Sequence, residues 1–221
     1  VLDRDRNKFV SAHDLVPGSK YRPYATPNGA IQPDGVAAEF NIHPASTRKE
    51  FLSYLARTEK VLKMVVRKDH ESYDLIAVPT ADFDPEYFSD LPEYAKALGC
   101  DPDFDAYLEQ ANPKPSGDRP FRTGAGHIHI GFCPPKDNPM EEHHFKNCCS
   151  LTKQLDAILV PASKLWDSDT KRMELYGKPG AFRPKPYGLE YRVLSNAWLN
   201  RNSTKSYVYD TTKAVTALWL K

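Results

Sequence analysis

Long apolar runs are what this chain most plainly lacks. No stretch of about 20 apolar residues occurs in it and nothing resembles a signal peptide, so the expectation is a cytoplasmic protein without a membrane-spanning helix. Charge of one sign is lacking too: 30 Lys and Arg stand against 29 Asp and Glu, a formal net charge of +1. That balance argues against general binding to nucleic acid or a membrane surface and leaves room for a local basic site. Cysteine is sparse. Cys100, Cys133, Cys148 and Cys149 contain no CxxC pair, and the adjacent pair cannot easily bridge itself, so reduced thiols are expected. No GxSxG, Walker lysine loop or Rossmann glycine fingerprint occurs. Internal repeats, low-complexity segments and a clear linker are absent as well, which favours one α+β domain over 1–221.

What is present is a chain long enough to bury a real core. VLDRDRNKFVSAHDL reads as the end of a strand, a turn and a returning strand. Residues 16–35, dense in Pro and Gly, read as an ordered loop. VAAEFNI (36–42) reads as a strand. Thr47 and Glu50 form the capping box of a helix whose Phe51, Leu55, Leu62 and Val65 recur at helical spacing. A short buried strand is expected over 74–80, a helix broken at Pro92 over 85–99, and a loop with one helical turn over 99–123. The strand GAGHIHIGF (124–132) follows. A long helix from near Pro139 carries Phe145, Cys148, Thr152, Leu155 and Leu159 along one face. Residues 167–188 read as loop, GLEYRVLS (188–195) as a strand, and the chain closes on a helix ending TTKAVTALWLK. The half-buried alternation of several strands predicts a curved, mainly antiparallel sheet backed by helices.

Chemistry concentrates on three of those strands. His127 and His129 stand two apart, so both imidazoles project from one face of a strand while Ile128 and Ile130 project from the other. Glu190 and Arg192 repeat that spacing, and Glu39 lies on the strand 36–42. A charge buried singly costs several kcal/mol, so such groups persist when paired or when holding a metal or ligand. Glu and His suit a divalent cation, and Arg suits a phosphate. Lys178, Arg183 and Lys185, in the Pro- and Gly-rich stretch before the Glu190 strand, suit a nucleotide triphosphate. Each feature has a plain structural reading: one histidine in solvent and one in the core, Glu39 paired with a lysine on an edge strand, Glu190 and Arg192 paired with neighbouring strands. Their joint occurrence on separate strands favours a site. EEHH (141–144) does not, because adjacent residues on a helix diverge by about 100°; a polar first turn is expected there. DPDFD (101–105) reads as an Asx-rich turn, with Asp101 and Asp103 as weak substrate-loop candidates.

IQPDGVAAEFNIHPA, GCDPDF, RTGAGHIHIGF and YGKPGAFRPKPYGLEYRVLSNAWL, in that order, resemble the phage-type carboxylate–amine (COOH-NH2) ligases, or amidoligases, of the glutamine synthetase-like superfamily. The resemblance runs from about residue 13 to about residue 200, and GAGHIHIG and GLEYR are its most specific parts. It implies a glutamine synthetase-like catalytic fold and an ATP- and Mg²⁺-dependent ligase. ATP would phosphorylate a carboxylate, and an amine would attack the acyl phosphate to give an amide or peptide-like bond. The resemblance implies Glu39, His127, His129 and Glu190 as metal ligands, with His127 also serving the substrate carboxylate. It implies Arg183, Lys185 and Arg192 as ATP-binding residues, and Arg183, Arg192 and His127 as catalytic ones. Substrates would be small carboxylates and amines, such as amino acids or the end of a peptide or protein, in the cytoplasm (a host's, if the chain is phage-encoded). Family members open with an acidic strand of the kind G-x-D-P-E-F-F. Here VLDRDR stands where that strand would be ending, so the strand and its metal-binding glutamate are expected to be missing from the numbered chain. A phosphotransferase on the same scaffold, a non-catalytic binding protein that retains the pocket, and a metal-dependent hydrolase are the alternatives.

Overall fold

The computed structural model describes residues 1–96, 103–113 and 120–221. They form an α+β arrangement of antiparallel sheets, one curled as a half-barrel, backed by helices. In chain order the first elements are β1 (Leu2–Asp3), β2 (Lys8–Phe9), β3 (Gly18–Ser19), β4 (Arg22–Thr26), β5 (Gly29–Asp34), β6 (Ala37–Ile42), α1 (Arg48–Arg67), β7 (Tyr73–Asp74), β8 (Thr80–Asp82), α2 (Pro85–Asp90) and α3 (Glu93–Lys96). There follow β9 (Phe104–Asp105), β10 (Gln110–Ala111), β11 (Phe121–Thr123), β12 (Ile128–Gly131), α4 (Glu142–Ser163), β13 (Ala181–Lys185), β14 (Gly188–Tyr191) and α5 (Asn202–Trp219). The chain divides into two compact units, Val1–Gly99 with Ser116–Arg122, and Cys100–Pro115 with Thr123–Lys221.

The first unit carries a four-stranded sheet in the order β3-β4-β5-β6. Residues 16–35 are therefore mostly strand rather than the expected loop. Their Pro and Gly serve hairpin geometry: Pro27 and Asn28 turn β4 into β5, with Thr26 paired to Gly29. Pro33 lies beyond the stretch of β5 that β4 covers, on a locally open edge where a missing N–H is tolerated. α1 starts as its sequence predicts. Thr47 Oγ1 accepts from the Glu50 N–H at 3.2 Å, and the Glu50 carboxylate accepts from the Thr47 N–H at 3.0 Å. Its buried Leu62 and Val66 pack with Ala12, Val16 and Ile31 from the loop and sheet. Residues 74–80 do not form one strand; only their ends join ladders, as β7 and β8. Asp74 is tied instead to the Arg4 and Arg67 guanidiniums, the latter at 2.7 Å, and Pro79 offers no donor for a ladder. The helix over 85–99 breaks before Pro92 into α2 and α3 as expected, while its end at Gly99 falls outside the described residues.

The second unit holds a five-stranded sheet in the order β10-β9-β13-β14-β12. One face is apolar. Ile130, Phe182, Leu189 and Tyr191 are buried, and α4 covers β13 and β14 with its buried Cys148, Thr152, Leu155 and Leu159, the stripe its 3.6-residue periodicity predicts. Residues 181–185, expected as loop, are strand β13. As with Pro33, Pro184 lies past the reach of a second neighbour, here β9. The expected loop at 99–123 contains, among its described residues, the β9–β10 hairpin rather than a helical turn. β14 stops at Tyr191, short of the expected 195: the carbonyls of Arg192 and Val193 turn to the buried guanidinium of Arg172, and that of Leu194 is shared between this guanidinium and the Gly126 N–H. The first turn of α4 is polar, as expected, but not all of it faces solvent. His144 is buried, and its Nε2–H donates to the carbonyls of Lys185 at 3.0 Å and Gly188 at 3.2 Å. It thereby pins the turn that joins β13 to β14.

Candidate functional site: a cationic sheet face around Glu190

The face opposite the core collects the ionisable residues of the second unit. Antiparallel register sets Arg183 opposite Glu190 and Glu190 opposite His129, in one line across β13, β14 and β12. Directly opposed residues project to the same side. The period of two then brings Lys185 from β13 and, from just beyond the strand ends, Arg192 and His127 onto that side. Phe182, Leu189 and Ile130 take the alternate positions and face the helices. Burial of these apolar neighbours, at roughly 25 cal/mol per Å² of apolar surface, is what holds the polar line in register.

Glu190 is the hub, with only 4% of its side chain exposed. Its Oε1 accepts from Arg192 Nη1 and lies 3.1 Å from His127 Nδ1. Its Oε2 lies 3.2 Å from Arg183 Nη1 and 3.0 Å from Lys185 Nζ. Arg192 is held on every side: its Nε meets Asp103 Oδ2 at 3.3 Å, its Nη2 donates to the Tyr176 hydroxyl, and its guanidinium lies 4.8 Å from the centre of the Tyr176 ring. Tyr176 also stacks on His127 at 6.4 Å between centroids. His129 Nδ1 and the Tyr187 hydroxyl are 2.6 Å apart.

These neighbours fix protonation. Burial works against a charged Glu190, but the His127 hydrogen bond and the charges of Arg192 and Arg183 hold its pKa far below the usual carboxylate range. His127 is pushed down to about 4, first by burial; Glu190 pulls upward and Arg192 pushes down. The ring is therefore neutral at pH 7. Because Nδ1 lies against the carboxylate it carries the proton, which leaves Nε2 as a bare acceptor; that atom is buried and makes no hydrogen bond. Burial resists the charge on Arg192 too, yet Glu190, Tyr176 and Asp103 raise its pKa.

Six of the seven site residues anticipated from the sequence thus share one face: His127, His129, Arg183, Lys185, Glu190 and Arg192. Arg183 and Lys185 reach it from a strand, not from a basic loop; Lys178, still in the loop, is exposed. Glu39 belongs to the other unit. It is exposed on edge strand β6, where Gln32 Nε2 donates to its Oε2 at 2.8 Å across the register. Tyr176 and Tyr187 were missed. Their signal was faint: each is an aromatic beside a turn glycine in YGKPG and KPYG, next to the basic residues. Asp103 serves as an ion partner of Arg192, while Asp101 lies outside the described residues. Two cavities of about 310 and 450 Å³ in the second unit are lined by other residues, around Asp167, Ser168 and Lys164.

The donor set does not fit a resident Mg²⁺. Among the described residues no group of three or more His, Cys, Asp or Glu gathers for a metal. On this face Glu190 has both oxygens engaged by cations, and among the described residues three cations (Arg183, Lys185, Arg192) stand against two carboxylates (Glu190, Asp103), a balance that favours an anion. Comparison with protein-family models, with curated proteins and with solved structures found no match.

Proposed function

We propose that the chain is an ATP-dependent ligase that joins a carboxylate to an amine through an acyl phosphate. The observation that carries this reading is the register Arg183–Glu190–His129, with Lys185, Arg192 and His127 beside it on one sheet face. Transfer of a phosphoryl group to a carboxylate brings two anions together, and fixed cations in a partly dry site offset that charge far better than water does. Arg183 and Lys185, at 17% and 26% side-chain exposure, meet the transferring phosphoryl group. Arg192, held by Glu190, Asp103 and Tyr176, is a preorganised floor that needs no rearrangement as charge develops. The carboxylate oxygen attacks the γ-phosphorus, ADP leaves, the amine nitrogen attacks the acyl carbon, and phosphate departs with its oxygen. The proton that the amine must shed leaves on the departing phosphate oxygens. Magnesium enters, on this reading, as the counter-ion of ATP and part of the substrate. Small carboxylates and amines, including amino acids or a peptide end, are the substrates, and the cytoplasm is the setting.

The test is ATP hydrolysis with mass-spectrometric detection of amide over a panel of amino acids and amines. Amide is expected to form only with ATP, and Arg183→Ala to lower kcat/KM by about 100-fold. Folded protein that yields no ATP-dependent amide across the panel overturns the reading. A second reading, an anion-binding protein without turnover, is favoured by one observation: among the described residues no group of three or more His, Cys, Asp or Glu gathers to hold a metal. It expects phosphate binding without chemistry.

A further inference from the structure

The family resemblance would make Glu190 a metal ligand, and its surroundings point elsewhere. A metal at Glu190 would have to displace cations from both oxygens. It would also sit within reach of Arg183, Lys185 and Arg192, whose charges all repel it. A carboxylate so placed has a different use. Three cations on one sheet face repel one another, and a fixed anion among them offsets that repulsion.

We propose that Glu190 is the internal counter-anion of an oxyanion site, and that a phosphate or polyphosphate group replaces its Oε2 as the partner of Arg183 and Lys185. The proposal rests on the phosphate-facing role given to those two cations above, and it removes the metal from that role. The two oxygens of Glu190 divide the work by depth. Oε1 is bound to Arg192, which is 5% exposed and tied down by Asp103 and Tyr176 as well; that pair stays. Oε2 is bound to Arg183 and Lys185, which form the more exposed rim on long side chains. They can turn a donor to an incoming group while β13 stays in its ladder.

The arrangement also sets selectivity. A monoanion such as chloride or acetate offers the rim cations no more than Oε2 already does. A phosphate dianion or a pyrophosphate brings more charge and more acceptor oxygens, so it competes. The guanidinium of Arg183 suits two such oxygens at once.

The experiment is calorimetric titration of the full chain with pyrophosphate, in EDTA and again in excess Mg²⁺, using wild type, Glu190→Gln and Lys185→Met. Wild type is expected to bind in EDTA, with acetate and chloride failing to compete at equal concentration. Glu190→Gln removes the resident competitor and is expected to tighten binding about tenfold, while Lys185→Met weakens it about tenfold. Binding that needs Mg²⁺ and disappears in Glu190→Gln restores the metal-ligand role and overturns the proposal, as does wild type that fails to bind in either condition. If circular dichroism shows Glu190→Gln unfolded, the wild-type comparison in EDTA and the loss in Lys185→Met decide alone. Pyrophosphate bound in this pattern by a chain that makes no amide would sink the ligase reading and leave the counter-anion in place.

Discussion

Replacing Arg172 with methionine should remove the clasp that sets the backbone beside the cationic face. Arg172 is 3% exposed, yet every hydrogen bond found for its guanidinium goes to a main-chain carbonyl. Nε donates to Gly124 at 3.1 Å, Nη1 to Val193 at 2.7 Å, and Nη2 to Leu194 at 3.1 Å and more weakly to Arg192 at 3.4 Å. Burial pushes its pKa down to about 10, against the pull of Asp167, so it stays charged at pH 7. Methionine fills similar length without a donor. The Val193 carbonyl then loses its partner outright, at about 1–3 kcal/mol, while the Gly124 and Leu194 carbonyls each lose one of two donors and keep the N–H groups of Asn196 and Gly126. Relief from burying a charge returns part of that. A net loss of about 2 kcal/mol follows, a sizeable share of the roughly 5–15 kcal/mol typical of a folded domain. With an m-value of about 2 kcal/mol/M, the urea midpoint followed by circular dichroism should fall by about 1 M. Pyrophosphate binding should weaken as well, because the 192–194 backbone carries Arg192. Arg172→Lys should recover only part of the stability, since one ammonium cannot reach the carbonyls on both sides as a planar fork does. A loss under about 1 kcal/mol, or a gain, would show that the carbonyls find other donors and that the clasp is not what holds this segment.

Gly177→Ala should act on the same clasp. Gly177 has φ +72° and a Cβ there would overlap the Arg172 guanidinium, so a loss of about 2 kcal/mol or more is expected in thermal unfolding; an unchanged Tm refutes the close approach. Acid should destabilise the second unit through His127 and Glu190 in sequence. The imidazole is lowered from 6.5 to about 4, so the unfolded ring binds a proton in that window that the folded ring refuses, and stability falls as pH drops from 6.5 towards 4. Glu190 is depressed below its ordinary 4.5, so its contribution, complete above that value, is lost as pH falls further. Urea titrations at pH 7, 5.5 and 4.5 should show this loss, and His127→Gln should flatten the limb between 6.5 and 4; a variant as steep as wild type refutes the assignment.

Much of this was written in local pattern. The Thr47–Glu50 box, the break before Pro92 and the buried stripe of α4 depend on residues within a turn or two of each other, and each formed as its spacing predicts. The pairs His127/His129 and Glu190/Arg192 likewise share a side because a strand alternates with period two. β13 was hidden for the opposite reason. Gly180, Pro184 and Pro186 read as loop residues, and the segment is a strand because β14 and β9 supply partners from elsewhere in the chain. His144 looked like surface helix until two carbonyls from the β13–β14 turn met it, and Tyr176 was marked only by the turn glycine after it.

Sequence alone therefore decided which side chains travel together, since alternation and helical repeat are properties of the covalent backbone. Tertiary structure decided what they travel towards. Whether Glu190 meets carboxylates, and so a metal, or guanidiniums, and so an anion, depends on which strands lie next to β14. That adjacency is fixed by buried apolar contacts between distant residues, and it sets the charge around the carboxylate.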